Sequence, residues 1–398
     1  MAKNSKPVVK DEEDDDKKVL TPQEQMKLYM DTNKKDHLNY ETGDDYTVST
    51  GSLKMDIVTN GGIGPGLTRL VGINSGGKTS EGLELMRNFF ITRPKGRGVY
   101  VKAEGRLSKE IQARSGIKFV WHADDWDEGT CLVLETNIYE TVANMIMNHI
   151  LDNPFKVNYF FMIDSLDGLL LKDDKEKALN DNYKVAGAPS LSKKLLQRCS
   201  NYIGKFGHIL VATSQITAQP KIDPYAKSEY RPYESSGGNA LKHYADNVWE
   251  FLPRYNDDKI LENPAAKYNQ NKNPIIGHSC KVIIRKSSNE KNDVHIDYPI
   301  RYNKTSGTSI WIEREIGDLI SVYHVTVKKS WFEFYPPFYE ELLTVDPDAP
   351  QKIQGIEKLY KYLEEHPKVT DYLFNKFQKS LKQEQIWDGD TDPLAEEE

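Results

Sequence analysis

The sequence predicts an α/β fold, with a mostly parallel sheet, helices on both faces, a short N-terminal helix and a small α-rich C-terminal domain. Three observations predict it. Between residues 49 and 303, short apolar runs alternate with stretches of helical period. Four of these runs are apolar with little alternation, as strands covered on both faces are. A glycine-rich turn at residues 72–79 joins one run directly to a helical stretch.

Residues 1–20 have no apolar period and carry six consecutive acids at 11–16, so they are expected to be disordered. Residues 21–48 hold a short amphipathic helix and a linker. Thr21 is its N-cap, Pro22 takes the first helical position, and Met26, Leu28 and Tyr29 form its apolar side. That side either covers an edge of the core or docks on a neighbouring subunit. In the body, 49–303, strands are expected at 67–71, 99–102, 159–163, 208–213, 248–252 and 282–285, and helices at 79–90, 138–151 and 191–206. Segments 173–189 and 217–236 are polar, rich in Gly, Pro, Lys and Tyr, and are expected as long surface loops. Loops of that length inside a compact domain are usually functional or disordered. The C-terminal domain, 304–380, begins as a mixed region. It ends in two helices around Pro367, marked by Ile356, Leu359, Tyr360 and Leu363, then by Val369, Tyr372, Leu373 and Phe377. Residues 381–398 are expected as an acidic flexible tail.

The composition, 38% hydrophobic and 28% charged, is that of a soluble globular chain, with no apolar run of about 18 residues to span a bilayer. The polar start lacks the apolar stretch of a secretory signal, which predicts a cytoplasmic location and no membrane partner. Cys131, Cys199 and Cys280 are few, odd in number and far apart, and they suit buried free thiols rather than disulfides or a zinc site. The net charge of −7 is carried by the ends: without six acids at 11–16 and six at 388–398, the body is +5. A mildly basic body with acidic ends is compatible with a polyanionic partner.

Gly72-Ile73-Asn74-Ser75-Gly76-Gly77-Lys78-Thr79 fits G-x-x-x-x-G-K-[ST] in full and stands between an apolar strand and a helix. Its glycines let successive main-chain N–H groups curl round a phosphate at the positive end of the helix that Thr79 and Ser80 open. Lys78 would neutralise the β and γ oxygens, and the Thr79 hydroxyl would bind magnesium. Asp164, ending the run 159–163, completes such a metal site, because a carboxylate closing a buried strand calls for a cation nearby. Glu104 follows the strand 99–102 and puts a second carboxylate at the same sheet edge, suited to polarising an attacking water. Gln215 follows the run 208–213, where a neutral amide can sense the γ-phosphate and pass its presence into the next loop.

These residues resemble the RecA family of recombinases, including the phage UvsX-type members. The likeness is carried by Val48-Ser49-Thr50-Gly51-Ser52-Leu53 with Asp56-Ile57 and Gly61-Gly62, the phosphate loop, Ala103-Glu104, Ile163-Asp164-Ser165, Gln215-Ile216, and Gly237-Gly238-Asn239-Ala240-Leu241-Lys242 with Tyr244-Ala245. They lie in the family's order over about 250 residues. The resemblance implies a RecA-like P-loop NTPase core with ATP and Mg2+ as cofactors. Lys78 and Thr79 would serve phosphate and metal, Asp164 the metal, Glu104 catalysis, and Gln215 the switch between ATP and DNA. It places DNA-contacting loops at 173–189, with Lys184, and at 217–236, with Lys221, Ile222, Tyr225, Lys227, Tyr230, Arg231 and Tyr233. Cations there would meet phosphates, and aromatic or apolar groups would stack on or wedge between bases. It also implies that Lys242, Arg285 and Lys286 reach ATP across a subunit interface. Three positions depart from the family pattern: Ser288 where a second lysine is expected, Ile111 where an aromatic stacks on adenine, and Lys102 where an acid precedes Ala103.

The function so implied is a DNA-dependent ATPase that forms a homo-oligomeric helical filament on single-stranded DNA and catalyses homologous pairing and strand exchange with double-stranded DNA in recombination and repair. Single-strand-binding and mediator proteins would be its accessory partners. A phage source would place it in a host's cytoplasm. Two other readings use the same fold: a mediator or regulatory paralogue without strand exchange, and a RecA-core helicase.

Overall fold

The computed structural model describes residues 20–34, 36–39, 41–104, 107–175, 187–218, 233–235, 243–304 and 307–383. They fall into two units, Met1–Thr42 and Gly43–Glu398. In the first, α1 spans Pro22–Thr32. Thr21 is the N-cap and Pro22 stands in the first turn, as the sequence predicts, and Glu24 returns a bond to the Thr21 N–H to complete a capping box.

The second unit opens with α2 (Leu53–Thr59), β1 (Gly66–Gly72), α3 (Lys78–Thr92), β2 (Arg97–Lys102), α4 (Lys109–Ser115), β3 (Lys118–Val120), β4 (Thr130–Leu134) and α5 (Tyr139–Leu151). It continues with β5 (Tyr159–Asp164), α6 (Lys172–Lys175), α7 (Gly187–Lys205), β6 (Ile209–Ala218), β7 (Tyr233–Ser235), β8 (Asn247–Phe251), β9 (Lys259–Leu261), β10 (Ile275–Lys286) and β11 (Val294–Arg301). The main sheet runs β11-β10-β8-β1-β6-β5-β2-β4-β3, parallel from β8 to β3 and antiparallel at β10 and β11. This is the expected sheet, and its helices cover both faces.

Strand β5 shows why its sequence reads as unbroken apolar. Phe160 and Met162 face one core with Leu70, Phe89 and Trp249, while Phe161 and Ile163 face the other with Ile146, Leu196 and Leu210. Helix α3 supplies the first core, and α5 and α7 supply the second. Right-handed crossovers between parallel strands put helices on both sides in this way. All three cysteines are buried and free.

Strands β3, β4, β9 and β11 were not among those expected. The first three are three to five residues long. The last alternates in burial and contains Pro299, which a β-sheet accepts on an edge strand, as β11 is. The two polar segments are also more structured at their stems than a plain loop. Helix α6 and the start of α7 cut into 173–189, and β6 pairs antiparallel with β7 (Ile216↔Ser235, Ala218↔Tyr233) inside 217–236.

The C-terminal part comprises α8 (Ile312–Tyr323), β12 (Val325–Lys328), β13 (Trp331–Phe334), α9 (Pro336–Val345), β14 (Lys352–Gln354), α10 (Ile356–Glu365) and α11 (Pro367–Gln383). The α-rich region therefore also holds a small antiparallel sheet, β12-β13-β14. Its core joins Ile316, Ile320, Leu359, Leu363 and Leu373 to Leu53 of α2, so it packs on the entry to the α/β body. No helix among the described residues is long and apolar enough to cross a membrane.

Candidate functional site

Parallel strands β1, β6 and β5 are neighbours, and their carboxyl ends form one sheet edge, the usual ligand crevice of such folds. The residues predicted from sequence gather there. After β1 the chain turns through 72–77 into α3. Gly72 (φ 151°) and Gly77 (φ 115°) need glycine: a Cβ on Gly72 would stand 2.4 Å from the Phe251 carbonyl oxygen. The thiol of Cys280, on β10, lies below and donates to the Gly76 carbonyl at 3.6 Å.

Lys78 is 9% exposed, and its Nζ donates to the carbonyls of Gly72 (2.8 Å) and Ile73 (2.7 Å). The ammonium thus stands over the loop that would cradle phosphate. Burial lowers its pKa from the ordinary value, and the negative charges of Asp164, Asp167 and Glu104 oppose that shift.

Three hydroxyls converge on Asp164. Thr79 Oγ1 donates to Oδ2 at 2.8 Å, the Tyr100 hydroxyl donates to the same oxygen at 2.6 Å, and Thr213 Oγ1 donates to Oδ1 at 2.7 Å. The carboxylate is therefore fixed from three strands or helices at once, beside the first turn of α3. Thr79 and Asp164 form the hard-oxygen pair that Mg2+ prefers, so the donor chemistry fits that ion. Burial and the adjacent Asp164 charge raise the Tyr100 pKa far above its ordinary value, so its phenol stays protonated as a donor.

Glu104 is exposed at the end of β2, where Ala103 N–H donates to the Asp164 carbonyl at 3.0 Å. Gln215 lies level with Gly72 in the β1–β6 register. Its main-chain N–H donates to Asp167 Oδ2 at 2.6 Å. The structure thus brings together Lys78, Thr79, Asp164, Glu104 and Gln215.

It does not bring Arg285 and Lys286 to their own phosphate loop. Lys286 is level with Val248, which is level with Arg69 in the middle of β1, three residues before Gly72. Arg285 pairs with Glu250 and Asp293, and Lys286 donates to the carbonyls of His243 (3.1 Å) and Ala245. Lys184, Lys221, Ile222, Tyr225, Lys227, Tyr230, Arg231 and Lys242 fall outside the described residues, and Tyr233 opens β7.

Sequence reasoning missed Tyr100, Thr213, Asp167 and Arg69. Each is a polar residue within or just after an apolar strand, and a hydroxyl on each strand flanking the acid-bearing one was the available signal. Also unforeseen is a cavity of about 230 Å³ that borders Gly77 and Ser80 and is lined by Arg114, Arg254, His278 and Tyr302. Two groups in its wall are nearly fully buried yet have polar atoms without a partner among the described residues: Glu81 Oε1 and both ring nitrogens of His278. Burial lowers the His278 pKa to about 4, so its ring is neutral near pH 7.

No family model matches the chain. It is 26% identical to Protein RecA of Rickettsia africae over 330 residues, 81% of each chain. It is 25% identical to Protein RecA of Rickettsia canadensis over 358 residues, 88% of each, and 24% identical to that of Aquifex aeolicus over 344 residues, 84% of each. These relatives are bacterial and give no support to a phage source. Similarity of this extent supports a relationship to the RecA family, and the α/β core that carries the site is RecA-like.

Proposed function

We infer that the protein is an ATP hydrolase of the RecA type that assembles on single-stranded DNA as a helical filament and promotes homologous pairing and strand exchange. The observation that carries this reading is the sheet edge itself. A phosphate loop, a buried ammonium and a carboxylate fixed by three hydroxyls stand beside Gln215, which begins the run of β6 into the polar segment 217–236. The RecA proteins that match over four fifths of the chain support the same reading.

The triphosphate would take the N–H groups of 74–79, with Lys78 moving from the Gly72 and Ile73 carbonyls to phosphate oxygens. Thr79 and Asp164 would hold Mg2+, which when bound neutralises charge on the phosphates. Glu104 would accept a proton from the attacking water at the same edge. The cavity beside Gly77 and Ser80 provides room for the nucleoside, with Glu81 and His278 available to hydrogen-bond it. Arg285 and Lys286, which pair with groups other than the phosphate loop of their own chain, would reach a neighbour's nucleotide. Lys242 and the cations and aromatics of 173–189 and 217–236 would meet DNA and the adjoining subunit.

The test is joint-molecule formation by the purified protein with ATP, Mg2+, single-stranded DNA and a homologous duplex. Joint molecules that require ATP support the assignment. ATP and DNA binding without joint molecules would make the protein a mediator instead, and unwinding of a forked duplex would make it a helicase.

A further inference from the structure

Immediately after Asp164 the chain makes a tight turn, Leu166–Gly168, that touches two groups with separate duties. On one side the Asp167 carboxylate accepts the main-chain N–H of Gln215 at 2.6 Å. On the other, Gly168 lies directly against Glu104: a Cβ there would stand 2.3 Å from Glu104 Cγ and 3.1 Å from the Ala103 carbonyl carbon. Three residues of chain therefore span from the carboxylate suited to polarising water to the strand that enters the polar segment after Ala218.

The electrostatics of the turn follow the same line. Asp167 acts on two cations, the Lys78 ammonium in the phosphate loop and the Arg69 guanidinium in the middle of β1. Arg69 is 1% exposed, and its Nε donates to the hydroxyl of Ser214, the residue before Gln215, at 3.3 Å. A cation from β1 and an anion from the turn thus both fasten on residues 214 and 215. An apolar side chain at 69 would pack a central strand more cheaply than a guanidinium, whose burial is costly without a counter-charge. The guanidinium makes sense as the counter-charge of the Asp167 carboxylate beside Gln215.

Resting on the function inferred above, we propose that the Leu166–Gly168 turn links hydrolysis to the nucleic-acid loop, with Asp167 a positioning residue that holds Gln215 in register with the phosphate site and Gly168 the contact through which Glu104 moves with it. Arrival of a triphosphate draws Lys78 away from the loop carbonyls and shifts the turn that Asp167 ties to Gln215. The turn passes that change to β6, and strain from the β6–β7 hairpin returns to Glu104 by the same path.

The experiment measures ATP hydrolysis by the full-length protein with and without single-stranded DNA, for the wild type, Asp167→Ala, Asp167→Asn and Gly168→Ala, with the melting temperature of each. Asp167→Ala is expected to cut the stimulation by DNA about tenfold or more, and Asp167→Asn, which keeps an oxygen for the Gln215 N–H, to stay within about threefold of wild type. Gly168→Ala, whose methyl displaces Glu104, is expected to lower kcat about tenfold with a smaller change in KM. The link is overturned if Asp167→Ala responds to DNA as the wild type does. It is equally overturned if both Asp167 variants lose stimulation alike and melt earlier, the mark of a merely structural role. Wild-type hydrolysis that ignores DNA would instead sink the functional assignment itself, and this link with it.

Discussion

Helix α3 stands between two sets of buried or half-buried carboxylates, and they are treated in opposite ways. On the phosphate side, Asp164 receives three hydroxyl donors and shares its edge with the Lys78 ammonium. On the other side, Glu81, Glu84, Asp56 and Glu315 crowd together with little compensating charge: Arg87 pairs with Glu84, and Lys54 acts on Glu315. Burial pushes all four of these upward. The first set has its donors and counter-charge already in place. The second answers to protons, and it lies where the C-terminal part meets the body: Ser52 Oγ and Leu53 N–H donate to Glu315 at 2.5 and 2.8 Å. Gln378 of α11 donates to Ser49 Oγ and Asp56 Oδ2 at 2.7 and 3.1 Å.

The contrast breaks most visibly at Lys78. Lys78→Ala removes the only ammonium that lies over the loop among the described residues, and nucleotide affinity should fall roughly thousandfold, as charge-assisted contacts to several phosphate oxygens are lost together. Titration with a fluorescent ATP analogue measures this, and ATP-dependent DNA binding should vanish with it. Wild-type affinity in this variant would remove the phosphate site. Glu104→Gln should have a different signature, with ATP and DNA binding kept while turnover falls on the order of a hundredfold or more, as for loss of a general base. Single-turnover hydrolysis separates the two, and a variant with undiminished chemistry would exonerate Glu104.

The second set should reveal itself through pH. Glu315 is pushed up to about 7 in the folded chain, against an ordinary glutamate near 4.5. The folded state thus holds the proton more tightly than the unfolded one, so stability from this group is present below pH 4.5 and declines as pH rises through about 7. The decline is roughly 3 kcal/mol for this residue. Asp56, Glu81 and Glu84 shift in the same direction and steepen it. Denaturant unfolding at pH 5.5 and pH 8 should show the wild type losing more stability than Glu315→Gln. Equal losses would mean that the carboxyl does not titrate where it is placed.

How much of this was legible in the chain follows from range. The phosphate loop, Asp164 and the N-cap at Thr21 are local patterns, so strand, turn and helix could be read directly. Gln215 and Glu104 were legible because each follows an apolar strand at the same edge. Tyr100 and Thr213 were not, because their hydroxyls find Asp164 only once β2, β5 and β6 are aligned side by side. Glu81, Glu84 and Glu315 were not singled out, since sequence pattern alone cannot tell that two layers close over them. The C-terminal sheet escaped because its strands are three or four residues long and a helix separates the third from the other two.

The smallest predicted effect bears on whether the C-terminal part is fastened by polar contacts or only by its apolar core. Gln378 makes two hydrogen bonds, one to a buried carboxyl that has no cation paired with it among the described residues. Gln378→Ala should cost about 1 kcal/mol, the usual net value of such a bond, since Asp56 keeps the donors of Ser49 and Thr50. The loss should be greater at alkaline than at acidic pH, because burial raises the Asp56 pKa and an amide donor is worth more to a carboxylate than to a carboxylic acid. Chemical denaturation of the variant and wild type at acidic and alkaline pH checks this. A loss that ignores pH would show that Asp56 keeps one protonation state throughout, leaving Glu315 as the group in this seam that couples C-terminal docking to acidity.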